Sequence, residues 1–149
     1  MSRIKLLVVM ALVGMFLLSA CGANQASANS DGSVGVTVTL KDFTVESSVT
    51  TFKPGVLYHF TVTNEGPAAH EFMIMPITMN NMGMPGMTNM TMEERDQIAL
   101  MMIPQEQLPA GATVKMDYTF ASVPEGNIEI VCTLQGHFEA GMHIPVTIK

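Results

Sequence analysis

The most chemically suggestive side chains of this sequence lie together near its C terminus. Cys132, His137 and Met142 are each separated from the next by four residues, so one loop carries a thiolate, an imidazole and a thioether. Gly136 and Gly141 stand beside two of these residues and allow tight backbone turns. A loop of this size can direct three side chains to one point, and this mixture of sulfur and nitrogen donors favours a soft transition metal.

A short loop cannot surround an ion, so a further ligand must come from elsewhere in the chain. His70 is the best candidate, because it follows the turn Asn64–Gly66 at the start of an apolar strand. One cysteine, two histidines and a weak axial methionine form the ligand set of blue-copper electron-transfer sites. Taken singly, Cys132 could be a buried thiol, Met142 a packing residue and His137 a turn cap. Their joint placement favours one copper ion.

The remaining histidines and two nearby acids are expected to have other roles. His59 alternates with aromatic residues of its strand and should lie on the surface, and His143 should point to the opposite side from Met142. Glu71 and Glu139 flank proposed ligands and could support those ligands from behind or serve as docking charges, but solvation is the plainer expectation for both.

Alternating apolar residues predict the strands that must position these side chains. A capping box, Thr91 to Glu94, predicts one short helix, which Ile98, Met101 and Met102 continue until Pro104 stops it. We therefore predict an all-β sandwich with one short helix in an insertion. The predicted strands cover residues 34–40, 43–45, 57–63, 72–75, 114–120, 128–132 and 142–148.

Several segments of the sequence resemble the cupredoxin family of blue copper proteins. The loop from Cys132 to Met142 matches the family's Cys-His-Met signature. The resemblance covers residues 34–75 and 109–149, including the segments 41–43, 53–55, 60–66 and 70–72. It implies a Greek-key β-sandwich with copper near one end. It also implies that His137, beside Phe138, is the port through which electrons pass.

A methionine-rich insertion, residues 76–105, departs from that pattern. Six of the 14 residues from 79 to 92 are methionine and none is Leu, Ile, Val or Phe, so simple packing explains them poorly. They could bind a second Cu(I) ion or form an adaptable surface that docks a redox partner. Packing is the plainer role for Met73, Met75, Met101 and Met102. The six residues are Met79, Met82, Met84, Met87, Met90 and Met92.

The N terminus predicts export and lipid anchoring. Arg3 and Lys5 precede an apolar run from residue 6 to 18, which is shorter than the ~20 residues of a typical membrane span. Residues 18–21 resemble the bacterial lipobox, so we predict a lipoprotein signal peptide over residues 1–20 and lipidation of Cys21. A flexible tether, residues 21–33, would join the lipid to a domain spanning residues 34–149. The domain would then lie on the extracytoplasmic face of a bacterial membrane.

These patterns predict single-electron transfer between redox protein partners outside the cytoplasm. The alternative is a copper chaperone or storage lipoprotein that passes Cu(I) from its methionines to an acceptor protein. We expect no enzyme, because the sequence has no second histidine-rich cluster for another copper centre. The formal net charge of -6 and the lack of a basic patch argue against nucleic acid as a partner.

Overall fold

The computed structural model of the protein describes residues 27–77 and 91–149, which form two β-sheets packed face to face. The predicted all-β sandwich and the short helix after the methionine-rich run are both confirmed within these ranges. In chain order the elements are β1 Ser27–Ala28, β2 Val34–Lys41, β3 Thr44–Ser47, β4 Thr51–Phe52, β5 Leu57–Asn64, β6 Phe72–Ile77, α1 Met92–Ile98, β7 Met101–Ile103, a 3₁₀ turn Gln105–Gln107, β8 Thr113–Thr119, β9 Asn127–Val131 and β10 His143–Ile148.

The first sheet is built around β2 and β5, which run parallel to each other. Its order is β1-β2-β5-β8, and β3 also pairs with β2. Val36, Val38 and Leu40 of β2 are buried, and Phe60 and Val62 of β5 lie beside the first two in register. The period-two pattern arises because one face of this sheet covers the core.

The second sheet has the order β4-β10-β9-β6-β7 and carries the other half of the core. Its strand β6 is buried on both faces. Phe72 and Ile74 join the main core between the sheets, whereas Met73 and Met75 form a second, smaller cluster on the outer face. Ile98 at the end of α1 packs on that outer cluster. The helix therefore covers one face of the second sheet.

Helix α1 begins where the sequence predicted. The Oγ1 atom of Thr91 accepts the backbone N–H of Glu94 at 3.2 Å, and the Glu94 carboxylate accepts the backbone N–H of Thr91 at 2.7 Å. The predicted continuation to Pro104 is wrong, since residues 101–103 form β7 and pair with β6. Pairing with the edge of the sheet prevails over a helical spacing that extends only a few residues.

Four methionines outside residues 79–92 lie in β6 and β7, where packing was the plainer expectation. Met73, Met75 and Met101 are buried, and Met102 is half-buried against the outer cluster. Unbranched thioether side chains suit this role because they fill irregular gaps between strands.

Several predictions lie outside the described residues: the signal peptide over residues 1–20, lipidation of Cys21, and the methionines from Met79 to Met90. The side chain of Met92 lies outside them as well. Residues 27–33 of the predicted tether form β1 and a turn against β2. Among the helices of the described ranges, none has the length and apolar character needed to span a bilayer.

Candidate metal centre

Three of the four predicted ligands meet at one end of the sandwich. His70 precedes β6, Cys132 follows β9, and His137 lies in the turn between β9 and β10. Their ligand atoms all lie within 4.8 Å of one another. The two Nδ1 atoms of His70 and His137 are 3.3 Å apart, and the Sγ atom of Cys132 is 3.4 Å from Nδ1 of His137. Residues separated by 67 positions therefore present donors to one point.

Backbone hydrogen bonds close the loop that carries the other ligands. The N–H of Cys132 donates to the carbonyl of Met142 at 3.1 Å, and the N–H of Met142 donates to the carbonyl of His137 at 2.9 Å. Gly136 and Gly141 have φ values of 83° and 98°, which confirms the tight turns expected at these positions. Met142 is fully buried in the same core as Cys132. Ligation by the Met142 sulfur stays a prediction.

His70 is enclosed by the segment that follows β5. Its backbone N–H donates to the carbonyl of Leu108, and Asn64 donates its side-chain amide to the same carbonyl and to that of Ala68. The Asn64 side-chain oxygen accepts the N–H of Gly66 at 2.9 Å. A Cβ atom at Gly66 would lie 2.6 Å from Nε2 of His70. Sequence reasoning identified the turn but missed that it forms a cradle for the imidazole.

Burial sets the protonation of two donors. Burial raises the pKa of the Cys132 thiol to about 11, although the backbone N–H of Glu71 donates to its sulfur at 3.4 Å. Burial, together with the neighbouring His137, lowers the pKa of His70. At neutral pH His70 is therefore a neutral imidazole ready to donate a lone pair. A metal cation must displace the proton of Cys132, because the thiolate is the form that binds metal.

The donor set fits copper better than a hard cation. Two imidazole nitrogens and one cysteine sulfur form the trigonal part of a blue-copper site, while oxygen donors would suit magnesium or calcium. His70 also has an Nε2 atom that is buried without a hydrogen-bond partner among the described residues. Its Nδ1 atom faces the other donors, so the orientation of the ring matches a ligand rather than a hydrogen-bonded core histidine.

Glu71 corrects the sequence expectation. It was expected to be solvated, but its side chain is fully buried and pairs with Arg95 of α1 at 3.2 Å. Thr133 donates its hydroxyl to the same carboxylate. Sequence reasoning missed Arg95 and Thr133, and the only available signal was that Glu71 and Thr133 each directly follow a proposed ligand. Glu139 is exposed, as expected.

The two other histidines lie apart from the donor cluster, as predicted. His59 points away from the core and its Nδ1 lies 2.6 Å from the carboxylate of Asp117. His143 lies on the opposite side of its strand from Met142. Its Nδ1 is 2.6 Å from Glu129, and its ring stacks on Phe138 with centroids 4.3 Å apart.

The fold resembles those of several copper proteins of known structure. Auracyanin A, a blue copper protein from the green thermophilic photosynthetic bacterium Chloroflexus aurantiacus, matches with a TM-score of 0.53 and 16% identity, over 77% of this chain and 99% of that one. The copper protein rusticyanin matches with a TM-score of 0.57 and 17% identity, over 84% and 87% of the two chains.

A larger protein shares the fold as well. A multi-copper oxidase from Pediococcus acidilactici matches with a TM-score of 0.52 and 15% identity, over 99% of this chain but 31% of the oxidase. No protein-family model and no curated protein matches the sequence. The structural likenesses establish the architecture, and the described geometry establishes the cluster of donors. The chain thus has the cupredoxin fold, and its cluster of His70, Cys132 and His137 fits one type 1 copper site.

Proposed function

We propose that this chain is a blue copper protein that carries single electrons between redox partners outside the cytoplasm. The observation that supports this most directly is the convergence of His70, Cys132 and His137 within 4.8 Å at one end of a cupredoxin fold. Copper bound there would supply one-electron exchange between its two oxidation states. The protein would supply fixed ligands, so that little has to move when the charge changes.

Met142 completes the proposed ligand set as the weak axial donor. Its side chain is fully buried in the core that contains Cys132, and its backbone forms hydrogen bonds with the backbones of both Cys132 and His137. A thioether at the axial position tunes the reduction potential more than it contributes to binding.

Electrons would enter and leave through His137. His70 and Cys132 are buried, whereas His137 is half-buried and is thus the most solvent-accessible of the three donors. Phe43 is 47% exposed and its ring lies nearly perpendicular to that of His137, with centroids 5.3 Å apart. An imidazole beside an exposed aromatic ring suits a partner with an apolar docking face.

The proposed location is the extracytoplasmic face of a bacterial membrane. The lipobox-like residues 18–21 support an anchor at Cys21. If lipid occupies that residue, Cys132 is a lone thiol in an oxidising compartment, and a metal ion would protect it as thiolate. The partners would then be other membrane-bound or exported proteins.

Copper handling is the competing proposal, and the methionine composition favours it. Six thioethers lie among residues 79–92, whereas Met73, Met75 and Met101 are buried in the described cores. A chaperone would transfer the ion itself to an acceptor. Deleting residues 79–90, which spares the helix start at Thr91 and Met92, should then reduce Cu(I) capacity in competition with a Cu(I) chelator. Unchanged copper stoichiometry after the deletion would instead support partner docking by this segment.

Optical and EPR spectra of the full chain loaded with Cu(II) test the proposed site. We expect an intense thiolate-to-copper absorption and one copper per chain, both abolished in Cys132→Ser. His59→Ala is a matched control, because His59 lies on the surface outside the cluster and its loss should change neither spectrum. A Cys132 thiol that stays freely alkylatable after copper loading would refute the proposal.

A further inference from the structure

A buried ion pair connects the two chain segments that carry His70 and Cys132. Glu71 directly follows the first of these ligands, and Thr133 directly follows the second. Arg95 of α1 donates from Nη1 to both carboxylate oxygens of Glu71 at 3.2 Å and to the hydroxyl of Thr133 at 2.8 Å. One guanidinium therefore closes a ring of hydrogen bonds across both ligand segments.

The interior position of this ring makes Arg95 more than a surface contact. The Glu71 side chain is fully buried, and that of Arg95 is 14% exposed. A buried carboxylate without its partner is strongly unfavourable, whereas an exposed ion pair contributes little. Glu71 also reaches the centre directly, since its backbone N–H donates to the sulfur of Cys132.

The helix that carries Arg95 is fixed at both ends. The capping box of Thr91 and Glu94 begins it, and Ile98 and Ala99 pack on the outer methionine cluster at its end. Arg95 thus approaches the ligand segments from an element that follows the methionine-rich run in the chain. The Arg95–Glu71 ion pair therefore links the end of the insertion to the segments that carry the ligands.

We propose that Arg95 is a positioning residue of the metal centre that fixes the two ligand segments and neutralises Glu71. This inference rests on the proposed copper function. The guanidinium holds the residues after both ligands in one geometry, and its positive charge offsets the negative charge of the Glu71 carboxylate. An ion bound by these ligands would therefore lie beside the neutral Arg95–Glu71 pair rather than beside an unpaired carboxylate.

A charge effect and a packing effect predict different signs for the shift in reduction potential of two single variants. Arg95→Met removes the positive charge, and at alkaline pH the ionised Glu71 carboxylate left near the ion stabilises the oxidised state and lowers the reduction potential. Glu71→Gln leaves a positive guanidinium, which raises the potential. The double variant removes both charges and should return the potential towards that of the wild type. A role limited to packing would shift both single variants in the same direction.

Redox titration of the copper-loaded full chain and its three variants measures these signs. Asp117→Asn is the control, because it also removes one carboxylate but from an exposed side chain on β8, where water screens the charge. Arg95→Lys keeps the positive charge on a shorter side chain that cannot place its nitrogen where Nη1 of Arg95 lies, so it should keep the potential near that of the wild type while loosening the segments.

Alkylation of the apoprotein provides a readout that needs no copper. The rate at which Cys132 reacts, followed by mass spectrometry of its peptide, should rise at least about tenfold in Arg95→Met, because an unpaired buried charge favours locally open states. It should rise less in the double variant. If Arg95→Met does not fold, Glu71→Gln and the double variant still show whether the reduction potential shifts with the charge of the pair.

Failure of this inference differs from failure of the proposed function. A wild-type chain without a blue-copper spectrum would refute the copper site itself. A wild type with that spectrum, but single variants whose potentials stay unchanged or move in the same direction, would refute the positioning role of Arg95. Unchanged alkylation of Cys132 in Arg95→Met would refute the clamp between the two segments.

Discussion

Gly66 is the position at which one added methyl group tests how tightly the centre is organised. Its φ is not positive, so the backbone conformation does not require glycine there. A Cβ atom would lie 2.6 Å from Nε2 of His70 and 3.2 Å from Oδ1 of Asn64, whereas ordinary contact begins at 3.4 Å. In Gly66→Ala the imidazole or its cradle must therefore move by about 0.8 Å.

The expected size of the effect depends on which contacts of His70 that movement disturbs. In the apoprotein it is an overpacked contact, which typically costs about 1–3 kcal/mol of the free energy of unfolding. In the copper protein it also displaces Nδ1 of His70, which lies 3.3 Å from Nδ1 of His137 at the proposed site. Disturbing the contacts that orient a metal ligand typically lowers metal affinity about 10–100-fold. We expect Gly66→Ala to lose at least about tenfold in copper affinity.

Chelator competition measures the affinity, and urea unfolding measures the stability of the apoprotein. Gly55→Ala is a matched control, because its added Cβ meets nothing within 4 Å while its φ of 77° is unfavourable for alanine. It should lose stability and keep wild-type copper affinity. A Gly66→Ala protein with wild-type affinity, spectrum and stability would show that the cradle does not constrain His70.

Three further predictions concern other parts of the molecule. Met142→Gln should retain copper with a lower reduction potential, measured by redox titration, and an unchanged potential would argue against axial ligation. Phe52→Ala removes a fully buried ring that contacts three aromatic neighbours, and should cost about 3–5 kcal/mol in urea unfolding. Hydrogen bonds from Thr91 lower the pKa of Glu94 below its ordinary value of 4.5, so its stabilising contribution exists above that value and is lost as pH falls through the folded-state pKa. The stability difference between wild type and Glu94→Gln should therefore shrink on acidification, and a constant difference would contradict the capping role.

Local signals in the sequence predicted much of the fold. Alternating residues in β2 and β5 identified the inward faces, and Thr91 with Glu94 identified the start of α1, because both patterns depend on near neighbours. The loop from Cys132 to Met142 was predictable for the same reason. The two-residue strands β1 and β4 were not, since segments so short have no period and exist only through their pairing with β2 and β10.

Contacts between residues far apart in the chain could not be predicted from the sequence. Glu71 was expected to be solvated because an isolated carboxylate is rarely buried. Its partner Arg95 is 24 residues away on a helix whose docking no local pattern specifies. The three-residue strand β7 was assigned to the helix for the same reason, because its pairing with β6 depends on where the chain returns to the sheet.

If copper binds as proposed, the burial of two of the donors would let the site exchange electrons without losing its metal. His70 and Cys132 are fixed by neighbouring backbone carbonyls and are enclosed by the core, so the fold itself sets their separation. A site organised before the metal binds needs little rearrangement when the charge of the ion changes. His137 differs because it lies on a turn and is half-buried, with Phe43 rather than a strand against its ring. Under the proposed function, this asymmetry would leave one of the three ligands open to a redox partner while the core keeps the other two at a fixed separation.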